Sequence, residues 1–216
     1  MKTYISSDLH IGFEDSNYPK IVEFFDIVKN DADKLILLGD IFDLWRCPVE
    51  TIVGEEPYKT AYDAVVSAAH KVPTRIVFGN HDYNLQRKMD IPYVTISDDF
   101  VDDNIFFCHG WRFDVLQRFG SFAYMWLVDQ FPYLYQRFFR SPSRIPRGEY
   151  ARADLTTKIH DEARRFIDKH TFSYLVMGHT HDPGIDGKLI DAGDMIDSLS
   201  YVVIEDGVPE LRRMRR

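Results

Sequence analysis

Short apolar runs alternate with amphipathic stretches along the chain. Lys2 to Ser6 reads as a strand, and Ile21, Val22, Phe24, Phe25 and Val28 then recur at helical spacing. Pro19 stands at the start of that stretch, where a proline suits the first helical turn. Leu35 to Leu38 is an unbroken apolar run, as expected of a strand covered on both faces in a parallel sheet. Strand, helix, strand in that order predicts a βαβ unit with a right-handed crossover. The same reading predicts a helix over Tyr58 to His70. It predicts further strands over Arg75 to Phe78, Tyr93 to Ile96, Asn104 to Cys108, Tyr174 to Met177, Lys188 to Asp191 and Tyr201 to Glu205. Glu149 to His170 reads as a long charged helix with His160 and His170 facing solvent.

The connecting segments are read as plain. A polar loop is expected up to Pro57, and Asp98, Asp99, Asp102 and Asp103 read as a solvated turn. Leu211 to Arg216 reads as a frayed basic tail. One stretch differs in composition. Residues 115–147 crowd aromatic side chains such as Phe119, Phe122, Trp126 and Phe138 among Arg118, Arg137, Arg140, Arg144 and Arg147. Pro132 divides it into two expected helices, which makes it the candidate helical insertion in an otherwise single domain. Two roles fit it: completion of the core, or a greasy, basic-rimmed cap over a substrate with a phosphate head and an apolar tail.

The ends of the strands carry the chemistry. In order they are Asp8 and His10, then Asp40, then Asn80 and His81, then His109, then His179 and His181. Open α/β sheets bind ligands beyond the carboxyl ends of their strands. Asp8 and His10 lie two residues apart, so an extended backbone points them the same way. Each pair alone is a weak signal that a turn explains equally well. Five of the eight histidines at successive strand ends is not chance scatter. Imidazole and carboxylate donors with one amide oxygen suit borderline first-row ions, Mn²⁺ first, with Fe, Zn, Co and Ni as alternatives. There are more donors than one ion needs. Two ions about 3.5–4 Å apart, with Asp40 shared, are the arrangement used for displacement at phosphorus.

Composition narrows the partners. The net charge of −8 argues against a broad basic face for nucleic acid. Cys47 and Cys108 stand apart, flanked by apolar or aromatic residues, and read as buried thiols in a reducing compartment. The sequence lacks an apolar run near the roughly 20 residues that span a bilayer. The expected location is the cytoplasm, with peripheral membrane contact if the substrate is lipid-linked.

The blocks D-x-H, GD, GNHD, a lone strand-end histidine and GHTH, taken together, resemble the calcineurin-like metallophosphoesterase superfamily over most of the chain. That resemblance implies an α/β fold, a four-layer sandwich of two mixed sheets faced by helices. It implies one ion held by Asp8, His10, Asp40 and His181, and a second held by Asp40, Asn80, His109 and His179. His81 matches the family's catalytic histidine, and a water bridging the two ions is the implied nucleophile. Asp82 and Asp43 are expected behind these groups, Asp82 orienting His81. Arg46 and Arg112 are candidates to grip a distal phosphate. Within the superfamily the SDLHIG opening and the GDIFDLW block are most similar to the UDP-2,3-diacylglucosamine pyrophosphatases. The chain departs from that group at Gly110-Trp111, at Phe42-Asp43 and at Ala192-Gly193-Asp194. The expected activity is hydrolysis of a phosphodiester or diphosphate bond. A nuclease, a cyclic-nucleotide phosphodiesterase and a phosphoprotein phosphatase share the same metal centre. A noncatalytic protein-binding scaffold shares the fold but lacks the histidine that stands here at position 81.

Overall fold

The computed structural model describes residues 1–114 and 149–215, with side chains from Asp154 onward in the second part. The expected insertion at 115–147 lies outside the described residues.

Strands β1 (Lys2–Ser6), β2 (Lys34–Leu38), β3 (Thr74–Val77) and β4 (Val94–Ser97) pair in parallel and in sequence order. Strand β10 (Ser200–Glu205) returns to pair antiparallel with β1, and β11 (Val208–Arg213) pairs antiparallel with β10. The six-stranded order is β11-β10-β1-β2-β3-β4. A second, five-stranded sheet has the order β5-β6-β7-β9-β8. Its members are β5 (Phe100–Asp102), β6 (Ile105–Phe107), β7 (Tyr174–Met177), β8 (Gly184–Asp186) and β9 (Leu189–Asp191). The inner pairs β6–β7 and β7–β9 are parallel, and the edge pairs are antiparallel.

Three apolar clusters define four layers. Side chains alternate across a strand, so neighbouring residues enter different cores. Tyr4, Leu35 and Leu37 join the first cluster with α1 (Tyr18–Asp31) and α3 (Tyr58–Lys71). Ile5, Ile36 and Leu38 face the other way and meet Phe107, Val176 and Ile190 between the sheets. Phe106, Leu175 and Met177 pack outward on Ile159, Ala163 and Ile167 of α5 (Glu149–Ile167). The fold is therefore an αββα sandwich of two mixed sheets, and the apolar run at β2 follows from its two covered faces.

Local chemistry sets the element ends. The Asn17 side chain accepts the Lys20 backbone N–H at the start of α1. Helix α1 buries Ile21, Phe24, Phe25 and Val28 along one stripe.

Several connecting segments differ from the expectation. Val49–Gly54 forms the short helix α2 inside the expected polar loop, anchored by buried Ile52. Leu85–Lys88 forms α4, a single turn. The acidic turn contains β5, which carries the chain from the first sheet to the second. Its aspartates are paired: Asp102 with Lys34, and Asp99 with Arg112. The basic tail is not frayed, because its first half is β11. Asp206 and Gly207 both take positive φ, 51° and 82°, as a two-residue hairpin requires. An Asp-Gly pair between alternating apolar residues was the available signal.

Ile36 and Leu37 are adjacent and face opposite cores. Ile36→Ala and Leu37→Ala are each expected to cost about 2–5 kcal/mol in urea unfolding, the usual range for truncating a buried aliphatic. A near-neutral result at either position would mean that its face of β2 is not a packed core.

Candidate metal centre

The parallel strands of both sheets end on one side, and their loops meet there. Asp8 follows β1, Asp40 follows β2, and Asn80 and His81 follow β3. From the second sheet, His109 follows β6, and His179 and His181 follow β7. The loops approach at backbone distance. A side chain on Gly178 would sit 1.9 Å from Ser7 Oγ, and one on Gly39 would sit 2.6 Å from His109 Nδ1. Glycine is the residue that lets the two sheets close here.

The backbone is strained where the donors sit. Asp8, His10, Asp40, His179 and His181 all have positive φ, between 47° and 73°. Side chains held in this region mark sites that the surrounding structure over-determines.

The donor atoms converge. The sets Asp8–His10–His181, His10–Asp40–His81 and Asp8–Asp40–His109 each have one atom per residue within 4.8 Å of the others. His181 Nε2 lies 3.1 Å from Asp8 Oδ1, and His10 Nε2 lies 3.7 Å from the same oxygen. On the other side His109 Nε2 lies 3.4 Å from Asp40 Oδ2 and 3.2 Å from Asn80 Oδ1. His179 packs edge-on against His109, with ring centroids 5.1 Å apart.

Whether these residues fit metal ions is tested by their unmet valences. Asp8 Oδ1 and both ring nitrogens of His10 are buried without a hydrogen-bond partner. His109 Nδ1–H donates to the Leu38 carbonyl at 2.6 Å, which turns Nε2 toward two oxygens. A neutral ring would aim a lone pair at those oxygens, so the position calls for positive charge, either a proton on Nε2 or a metal ion. The charges agree. Burial lowers the His109 pKa, but Asp40 and Asp8 outweigh it and push the pKa up to about 10. Asp40 and Asp8 are both held below the usual carboxylate range: burial opposes this, and the neighbouring imidazoles overcome it. The cluster is built to hold positive charge, and divalent ions fit it.

Four imidazoles also have a carboxylate oxygen behind them, hydrogen-bonded for His81 and His179 and in looser contact for His10 and His181. His10 Nδ1 faces Asp43 Oδ2 at 3.4 Å, and His81 Nδ1 faces Asp43 Oδ1 at 3.1 Å. His179 Nε2 faces Asp114 Oδ2 at 3.4 Å, and His181 Nδ1 faces Asp194 Oδ2 at 3.8 Å. Trp45 stacks on the His81 ring, 4.1 Å between centroids and 26° from parallel.

The two expected supporting aspartates divide differently from the sequence reading. Asp43 is the carboxylate on His81. Asp82 instead accepts the backbone N–H groups of Gly79, Asp40, Ile41 and Phe42, which ties the β2 and β3 loops together. Burial and then the Asp40 charge push its pKa up to about 6. Asp114, Asp191 and Asp194 were not singled out in the sequence. Their only signal was a position just beyond the 3₁₀ turn Trp111–Phe113 or at the end of β9.

Both candidate arginines already have carboxylate partners. Arg46 Nη1 donates to Asp43 Oδ2 at 2.5 Å, and its guanidinium lies 4.6 Å above the Phe13 ring. Arg112 pairs with Asp99 and lies over Phe106, Phe113 and Phe166, on the α5 side of the second sheet. His160 is not a plain solvent-facing residue as expected: its Nε2 lies 3.0 Å from buried Asp191 Oδ2. His170 is exposed. Both cysteines are buried thiols, and burial raises the pKa of each.

A two-sheet sandwich with carboxylates and imidazoles gathered beyond its strand ends is a scaffold suited to divalent ions. The family model of the calcineurin-like phosphoesterases matches residues 1–183, and the chain belongs to that family. It is similar to the UDP-2,3-diacylglucosamine hydrolase of Shewanella pealeana, 26% identical with 96% of each chain covered. The enzyme of the same name from Actinobacillus succinogenes is 24% identical, with 85% of each covered. That from Salmonella agona is 26% identical, with 86% of this chain and 84% of the relative covered.

The raised His109 pKa sets a pH test. A folded-state pKa of about 10 lies above the ordinary histidine value of 6.5, so the proton stabilises the metal-free fold fully below pH 6.5. That contribution is lost as pH rises toward 10. The melting temperature of chelator-treated protein is expected to fall over that window. Mn²⁺-loaded protein is expected not to show this fall, since the ion takes the proton's place. A flat or rising profile in chelator would contradict a charged His109.

Proposed function

We propose that this protein hydrolyses the diphosphate bond of a nucleotide-linked lipid of the UDP-2,3-diacylglucosamine type, using two divalent ions. The observation that carries the reading is the placement of His81 beside the donor cluster. Its Nε2 lies 4.0 Å from Asp40 Oδ2, and its backbone N–H donates to Asp40 Oδ1 at 2.8 Å. The names of the relatives, similar over nearly the whole chain, support the substrate class.

Asp8, His10, Asp40 and His181 would hold one ion, and Asp40, Asn80, His109 and His179 would hold the other. Mn²⁺ suits this mixture of imidazole, carboxylate and amide oxygen. When bound, the ions supply Lewis acidity and water activation. The residues do the rest. Asp40 belongs to both sets, so its position fixes their separation. Asn80 turns its oxygen toward His109 Nε2, which leaves its N–H₂ group to donate to a phosphoryl oxygen as charge develops there. Asp43 anchors His81 Nδ1, so Nε2 faces the substrate and passes a proton or hydrogen bond to the departing oxygen. Trp45 closes one face of the same ring. Burial opposes a charge on Asp43, and the His81 and His10 rings outweigh it, while Arg46 pairs with the same carboxylate from outside.

A lipid-linked substrate brings the protein to a membrane surface. Among the described residues there is no helix long and apolar enough to cross one. The aromatic, arginine-rich stretch at 115–147 is the proposed acyl-binding cap.

The test is a ³¹P NMR assay with Mn²⁺ and UDP-diacylglucosamine, with bis-p-nitrophenyl phosphate in parallel. Release of UMP is the expected outcome. Hydrolysis of the aryl diester alone would keep the dimetal reading and discard the lipid. His81→Ala is expected to lower turnover on UDP-diacylglucosamine about 10²–10⁴-fold, the usual contribution of a positioned acid, with both ions still bound. Unchanged turnover would remove the role given to His81.

A further inference from the structure

His160 and Asp191 lie outside the donor cluster yet reach into the loop that carries two of its members. Thr180 stands between His179 and His181, with φ values of 73° and 58° on its two sides. Such a backbone needs an anchor. The Thr180 hydroxyl donates to Asp191 Oδ2 at 2.7 Å and accepts the Asp182 N–H at 3.2 Å. Asp191 is 2% exposed, and its other oxygen accepts the Gly193 N–H at 2.9 Å. A carboxylate at that depth costs free energy unless donors surround it. His160 Nε2, on α5, supplies the remaining donor at 3.0 Å.

The three side chains are not a nucleophilic triad. One ring nitrogen of His160 faces both Asp191 Oδ2 and Thr180 Oγ1, the latter at 3.4 Å. A triad histidine uses opposite nitrogens for its two partners. What the arrangement can do is hold. It ties the loop His179–His181 to β9 on one side and to helix α5 on the other.

We infer that His160 is a positioning residue for the metal centre, acting through Asp191 and Thr180 to fix His179 and His181 together. The inference rests on the proposed assignment of those two histidines as metal donors. They belong to different ion sets, so loosening the loop between them weakens both sites at once. A residue that merely packed α5 on the sheet would change the melting temperature and leave metal affinity alone.

The experiment titrates metal-free protein with Mn²⁺ in a calorimeter, alongside melting curves of the metal-free forms. His160→Ala and Thr180→Val are each expected to weaken Mn²⁺ binding about 10–100-fold, the usual cost of losing an outer partner of a metal ligand. Because both cut one link, the double variant is expected to bind no more weakly than the poorer single variant. His160→Gln keeps an N–H donor and is expected to recover most of the affinity. Unchanged affinity in folded His160→Ala would overturn the inference. Should that variant not fold, Thr180→Val cuts the link from the other end, and unchanged affinity there would overturn it equally. Failure of the unaltered protein to bind Mn²⁺ would instead overturn the metal reading, and this inference with it.

Discussion

Buried carboxylates that need positive charge or donors are the constraint from which the rest of the molecule follows. Asp8, Asp40, Asp43, Asp82, Asp191 and Asp194 are all nearly inaccessible at the seam between the sheets. In a low-dielectric interior each must be answered by a hydrogen bond or a cation. The answers differ, and the differences sort the residues by task. Asp82 takes four backbone N–H groups, Asp194 Oδ1 takes three, and Asp43 takes Arg46. Asp82 is thereby structural, while Asp43 and Asp194 also face imidazoles of the cluster. Asp8 Oδ1 accepts no hydrogen bond and, like Asp40 Oδ2, faces imidazoles. Those two oxygens lie in the candidate metal groups.

The same constraint explains why the loops are strained. Carboxylates aimed inward from a strand end need the chain to turn sharply before the next helix begins. Among the described residues, half of the ten non-glycine residues with positive φ are candidate ligands. Each such residue costs on the order of 1–3 kcal/mol, so the fold must supply the difference elsewhere. It does so in the apolar layer between the sheets, where Ile5, Ile36, Leu38, Phe107, Val176 and Ile190 leave little solvent. Rigidity below and strain above are parts of one design.

Local pattern carried much of this and long-range geometry carried the rest. The strand ends were legible because period, apolar runs and ligand types coincide within a few residues, as at Leu35 to Asp40. The parallel order β1-β2-β3 follows from strand and helix alternation. The partners behind the donors were not legible. Asp114 and Asp194 are ordinary turn residues in sequence, and only folding places them against His179 and His181. Asp82 follows His81 directly and was expected to orient it, but the side chain points at the backbone of the neighbouring loop. His160 lies on a charged helix, and its periodicity gave no hint that Asp191 waits across the packed face. The tail hides its strand behind its charges, since the Asp206-Gly207 turn that starts β11 lies upstream of the basic residues.

The place of β1 in its sheet has a consequence for synthesis. Asp8 and His10 leave the ribosome first, yet β1 has partners on both sides only once β10 exists, near residue 200. At roughly 5–20 residues per second, that strand waits on the order of ten seconds or more with one flank open. During this interval the apolar face of β1 and a half-formed acidic loop are exposed together. The sheet that carries the donors is therefore closed by the β10–β11 hairpin, long after its first donors are made.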